Sequence, residues 1–142
     1  MVAFKFNLEP REVAKVETHN RCIRTKIPAP DSIKLIDELK KYESTNATEQ
    51  LPIIWDKALN HQIYDPYGNI WIDFTSSIFV TNTGHGNEKI RNNILNIINK
   101  PLMHSYYYPT QIKLDFLKKL IKIAGSGMEK AILLSAGTEA SE

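Results

Sequence analysis

The stretch Asp65-Pro66-Tyr67-Gly68-Asn69 limits the fold more than any other part of this 142-residue chain. An aspartate opens a turn by accepting from downstream N–H groups. Proline presets the first central torsion, and glycine takes positive φ without strain. "HQIYD" precedes the turn and "NIWIDF" follows it, both short and rich in β-branched and aromatic residues. This is a hairpin signal. In the returning run Ile70, Ile72 and Phe74 share one face, and Trp71 and Asp73 the other. "PIIWDKA" supplies a third run, so a small antiparallel meander is expected from Leu51 onward.

The residues before it are less regular. Positions 1–27 have no clean period and read as an extended or loosely attached arm. "KIPAPDS" resists helix through its prolines and offers Asp31 or Ser32 as an N-cap. Leu35, Leu39 and Tyr42 recur at helical spacing, which predicts a helix over 32–42. The polar "ESTNATEQ" reads as a linker loop. Three stretches follow from this: an arm with a short helix over 1–50, the meander over 51–86, and a third over 87–142.

In the third stretch the period becomes helical. Asn87 caps a helix striped by Ile90, Ile94, Ile97 and Ile98, with Glu88 in its first turn and Pro101 beyond its end. "LMHSYYYPT" is an aromatic connection. Thr110 caps the next helix, whose inward face would be Ile112, Phe116, Leu117, Leu120 and Ile121, with Gly125 closing it. Ala131–Leu134, "AILL", then reads as a buried strand, and Gly137-Thr138 opens a third helix. Strand, glycine turn and helix are how an α/β sheet begins.

Composition narrows the function. A formal charge of +2 gives no basis for a nucleic-acid or membrane partner, and no apolar run is long enough to span a bilayer. Lys113, Lys118, Lys119 and Lys122 alternate with apolar residues as on a solvated helix face. The single cysteine, Cys22, allows no intrachain disulfide and suits a reducing compartment. With no secretory h-region, a cytoplasmic location is expected. His19, His61, His85 and His104 lack metal-ligand spacing, and neither GxGxxG nor GxxxxGK[ST] occurs.

"SAGTEASE" at the end of the chain is the one anion-binding candidate. N–H groups at a helix start lack partners, Gly137 lets a ligand approach the backbone, and Thr138 offers a hydroxyl. A plain turn with a threonine cap and first-turn acids has the same pattern, so both readings stand.

Order and spacing over Leu51 to the end resemble the class III aminotransferases. The residues that carry the likeness are Trp55-Asp56, Asp65 to Asn69, Trp71 to Phe74, Ser77 to Val80, Gly84-His85 and Gly137-Thr138-Glu139-Ala140. The resemblance implies an α/β fold, the N-terminal part of a fold type I transferase, with residues 87–142 opening its cofactor-binding domain. It implies pyridoxal 5'-phosphate as cofactor, held through its phosphate by Gly137 and Thr138. Ile78 would lie near the substrate pocket with Ser77 beside it. It also implies a homodimer with the active site at the subunit interface, which Tyr106, Tyr107 and Tyr108 would approach. His85 is given a structural role as a loop hydrogen-bonding group.

The sequence departs from the family pattern at four places. Asn60 stands for a glycine, Ser77 where Gly is common, Phe79 where a small residue is common, and Glu88 where proline often follows Gly-His. Asn tolerates positive φ, so the first turn should survive. The family's Schiff-base lysine and the acid that partners the pyridinium nitrogen lie downstream of the Gly-Thr turn, and no lysine here occupies a matching position. The chain is therefore expected to be the front part of a longer enzyme and inactive alone. The parent would move an amino group from an amine or amino acid to a 2-oxo acid. An epimerase, racemase or aminomutase with the same cofactor remains open, as does a non-catalytic short chain acting as an interaction partner.

Overall fold

A computed structural model of the chain describes residues 6–43, 50–102, 104–105 and 107–142. The chain divides into two units, Met1–Asn93 and Ile94–Glu142. Tyr106 and most of the expected linker loop lie outside the described residues.

The first unit is organised by the hairpin. Strands β3 (Lys57–Leu59), β4 (Gln62–Tyr64) and β5 (Ile70–Ile72) form the antiparallel meander, with Ile63 opposite Trp71 and Tyr64 opposite Ile70. Asp65 Oδ1 accepts from the N–H of Tyr67 and Asn69 at 2.9 and 2.8 Å, and Gly68 takes φ +91°. Strand β5 ends at Ile72. Phe74 is 90% exposed rather than aligned with Ile70 and Ile72, because the chain has turned before it.

From residue 6 on, where it is described, the arm is not loose. Its residues supply β1 (Val16–Glu17) and β2 (Cys22–Ile23), and β2 pairs with β5, giving the order β1-β2-β5-β4-β3. What holds it is Asn69, a side chain with 1% exposure. Its Oδ1 accepts from the N–H of Arg24 and Thr25 at 2.8 and 3.2 Å. Its Nδ2 donates to Thr25 Oγ1 and Asp65 Oδ2 at 2.8 and 2.7 Å. A buried amide with all its valences met is a net-favourable link, whereas any one left open would be costly. Among the described residues, Cys22, Ile23, Ala29 and Ile63 are the buried hydrophobic core.

Helix α1 (Ser32–Leu39) is shorter than the periodicity predicts. Asp31 makes no side-chain cap. Instead Ser32, 1% exposed, donates from both N–H and Oγ to the Ala29 carbonyl. Helix α3 (Glu88–Ile98) starts as expected, with Asn87 Oδ1 accepting from the Ile90 N–H at 3.2 Å.

In the second unit Thr110 Oγ1 accepts from the Lys113 N–H, and α4 runs Gln111–Ala124 to Gly125 at φ +90°. Its apolar stripe is only partly covered: Leu117, Leu120 and Ile121 are half-buried, while Ile112 and Phe116 are exposed. Ala131–Leu134 is not a strand; no ladder partner lies beside it among the described residues. A strand is defined by its neighbour, and an apolar run cannot make one alone. The last element is α5 (Gly137–Ser141).

Candidate functional site

Where β5 ends, the backbone enters a conformation that L-residues avoid. Ser76, Ser77, Ile78 and Phe79 (α2, Ser76–Phe79) have φ of 49°, 54°, 58° and 66°. This is one turn of left-handed helix with no glycine in it. Such a conformation costs roughly 1–2 kcal/mol per residue, more for a β-branched side chain such as Ile78. The N–H groups of Phe79 and Val80 reach the carbonyls of Thr75 and Ser76 at 2.9 Å, so the turn is closed by its own backbone bonds.

Those bonds close the turn in either hand. Asp73 adds bonds at its entrance. Its side chain is 3% exposed, and four donors converge on it. Oδ1 accepts from the Thr75 N–H and hydroxyl at 2.9 and 2.8 Å. Oδ2 accepts from the Ser77 N–H at 2.9 Å and from His85 Nε2 at 2.7 Å. Burial pushes this carboxyl up. The hydrogen bonds from His85, Thr75 and Ser77 outweigh it and hold the group down to about 2. An ionised carboxylate only accepts, so Nε2 of His85 carries the hydrogen.

His85 is itself fixed by the sheet. Its N–H and carbonyl exchange 2.8 Å bonds with Asn60 in the β3–β4 turn, and the Trp55 ring meets its imidazole edge-on at 5.8 Å. Asn60 takes φ +52°, so the turn expected to survive without glycine does. Gly84, at φ +85°, passes so close that a Cβ would lie 3.3 Å from Asn60 Cα. The structural role expected for His85 is what it has here.

Ser77 is part-buried and tied through its N–H to Asp73, whereas the Ile78 and Phe79 side chains are 71% and 79% exposed. Sequence reasoning placed Asp73 on a strand face and missed its role. The signal available was Asp73-x-Thr75, the spacing of a side chain that captures the N–H two residues on.

Gly137 and Thr138 lie in the second unit, at the start of α5. Gly137 does not have positive φ, and a Cβ there would meet nothing within 4 Å, so the fold itself does not demand glycine. Glu139 turns back and accepts from the N–H of Ser135 and Ala136 at 3.0 and 3.3 Å. The remaining first-turn N–H groups, with the Thr138 hydroxyl, form a donor set of the kind an anion requires. Among the described residues no group of three or more His, Cys, Asp or Glu is placed to hold a metal, and no helix is long and apolar enough to cross a membrane.

Residues 43–142 match the family model described as aminotransferase class III. The chain is 33% identical over 117 residues to the mitochondrial acetylornithine aminotransferase of Candida glabrata, covering 78% of this chain and 27% of that protein. It is 34% identical over 110 residues to the acetylornithine aminotransferase of Methanocaldococcus jannaschii, covering 75% and 26%. It is 35% identical over 89 residues to the glutamate-1-semialdehyde 2,1-aminomutase of Clostridium novyi, covering 63% and 20%. The chain thus spans about a quarter of the length of the curated relatives it matches.

Proposed function

This chain belongs to the class III aminotransferase family, and on that premise we propose that the protein carrying it transfers an amino group from an amine or amino acid to a 2-oxo acid. The observation that carries the reading is the extent of the match, which runs from residue 43 through both the left-handed turn and the Gly137-Thr138 turn.

Pyridoxal 5'-phosphate is the proposed cofactor. The donor set at α5 fits its phosphate: first-turn N–H groups, a Thr138 hydroxyl and a Gly137 with open space beside it. Gly137 and Thr138 would bind that phosphate and so fix the cofactor's position. When bound, the cofactor supplies an electron sink for the carbon that loses a proton. Ser77 and Ile78 would border the amino substrate, the first by its anchored backbone and the second by its exposed side chain. Residues 87–142 would open the cofactor-binding domain of a fold type I enzyme that works as a homodimer. These 142 residues present no lysine at the family's cofactor position and are proposed to be inactive by themselves.

The names of the first two relatives make N-acetylornithine the donor to try first, and the likeness to the diaminobutyrate–2-oxoglutarate transaminase of Sporosarcina pasteurii, 31% identical over 72 residues, makes 2-oxoglutarate the acceptor to try. The test is glutamate formation by the protein made from its full open reading frame, with and without added cofactor. Cofactor-dependent glutamate supports the reading, and none with any amine donor overturns it. The aminomutase relative favours a second reading, movement of the amino group within one molecule. Isomerisation of an amino aldehyde with no 2-oxo acid present would select it.

A further inference from the structure

Among the described residues, packing adds little to the left-handed turn: Ser76 and Ser77 are half-buried, and its two apolar side chains are not covered. Ile78 and Phe79 are among its strained residues, yet both side chains stand in solvent in the described structure. A fold that only needed to reverse direction here would use glycine, which takes this conformation freely. Strain that burial does not offset, held by a dedicated polar group, marks a segment whose shape is used for something else.

The holding group is specific. Asp73 ties the turn from inside through the Ser77 N–H, and Thr75 from its entrance. His85 Nε2 shares Oδ2 with the Ser77 N–H and is locked to the Asn60 backbone and the Trp55 ring. The Asp73 N–H in turn reaches the His61 carbonyl at 2.8 Å. The turn is therefore referenced to the β3–β4 hairpin at two points, in addition to the bonds within its own loop.

We propose that Asp73 and His85 are a positioning pair, which keeps Ser76–Phe79 left-handed so that Ile78 and Phe79 face the carbon chain of the amino donor. The inference rests on the functional reading above. Neither residue of the pair needs to touch the substrate. Asp73 acts through the Ser77 amide, and His85 acts through Asp73. An amino donor with an extended aliphatic chain is the substrate class this apolar wall suits.

The test uses the full-length protein with bound cofactor, ¹³C-labelled at Ile78, and compares wild type, Asp73→Asn, and Asp73→Asn combined with Ser77→Gly. Asn cannot accept at both oxygens, so the turn loses a donor's partner, while glycine at 77 restores the left-handed preference without the clamp. In Asp73→Asn the Ile78 backbone shifts should move away from left-handed values. The KM for the amino donor should rise about tenfold with cofactor content unchanged. Both should return toward wild type in the double variant, which a residue serving stability alone would not produce.

Unchanged Ile78 shifts in Asp73→Asn overturn the clamp, whatever the activity. Moved shifts with an unchanged KM overturn the substrate-facing role and leave the wall to a partner segment. Absence of any amino transfer in the wild type overturns the functional reading and the pocket half of this inference together. Should Asp73→Asn fail to fold, His85→Gln carries the same pair of measurements, with a smaller shift and KM change expected in the same direction.

Discussion

Asp73 Oδ2 and His85 Nε2 lie 2.7 Å apart, with side chains 3% and 11% exposed, and this contact joins the start of the left-handed turn to the loop that follows it. Between the two residues the chain makes its longest run of positive φ without glycine among the described residues, Ser76–Phe79. The pair sits at the base of that run and holds it closed.

The acid side of this contact sets a pH window. Folding lowers the Asp73 carboxyl from 3.8 to about 2, with burial opposing and the His85, Thr75 and Ser77 hydrogen bonds prevailing. A depressed carboxylate contributes stability above its unfolded value and loses it as pH falls through the folded one. The Asp73 contribution should therefore be complete above pH 3.8 and vanish toward pH 2. A ¹³C carboxyl titration should place its midpoint there, and Asp73→Asn should remove that part of the acid-unfolding profile.

Asn69 should be the most sensitive single position of the arm. Asn69→Ala leaves the Arg24 and Thr25 N–H groups without their acceptor and removes one of the two donors to Asp65 Oδ2, the other being Trp71 Nε1. A loss of about 3 kcal/mol is expected in urea unfolding, since buried groups left unpaired forfeit their full desolvation. Hydrogen exchange should accelerate at the Arg24 amide more than at Ile63.

Asn69→Asp tests the same link with its sign reversed. The new carboxyl would face Asp65 Oδ2 at 2.7 Å, and two like charges so close raise one folded pKa. Its stability should hold at low pH and fall as pH rises through that raised value, the opposite of the Asp73 profile. Paired melts near pH 4 and pH 7 decide it.

Two glycines should separate fold from ligand. Gly84→Ala puts a Cβ 3.3 Å from Asn60 Cα at φ +85°, and should destabilise the chain by about 2 kcal/mol while loosening the Asn60–His85 bonds. Gly137→Ala meets nothing and strains nothing, so stability should be unchanged. In the full-length protein it should weaken cofactor affinity about tenfold, read by equilibrium titration of absorbance. Equal cofactor affinity in Gly137→Ala and wild type would remove the phosphate from this turn.

What the sequence discloses here is what short-range chemistry controls. The Asp65–Asn69 turn and the Asn87 and Thr110 caps are each decided by side chains within four residues of the N–H they capture, so they can be read directly. The two-residue strands of the arm cannot, because a side chain 45 residues away fixes them. The left-handed turn is hidden for a related reason: Ser76–Phe79 carries no glycine to betray it, and its cause is the distant His85 contact added to a local one. Ala131–Leu134 has the composition of a strand, but its pairing depends on chain beyond its own neighbourhood.

The docking of β2 on β5 also sets an order of events. The arm leaves the ribosome before the meander, and the edge it must join is synthesised some 45 residues later. The meander closes through nearby contacts and can form fast, while the arm waits for Asn69 to appear. Strand β2, made before the meander, is thus seated after it. Until it is, Cys22 stays uncovered and the flank of β5 lies open to other chains.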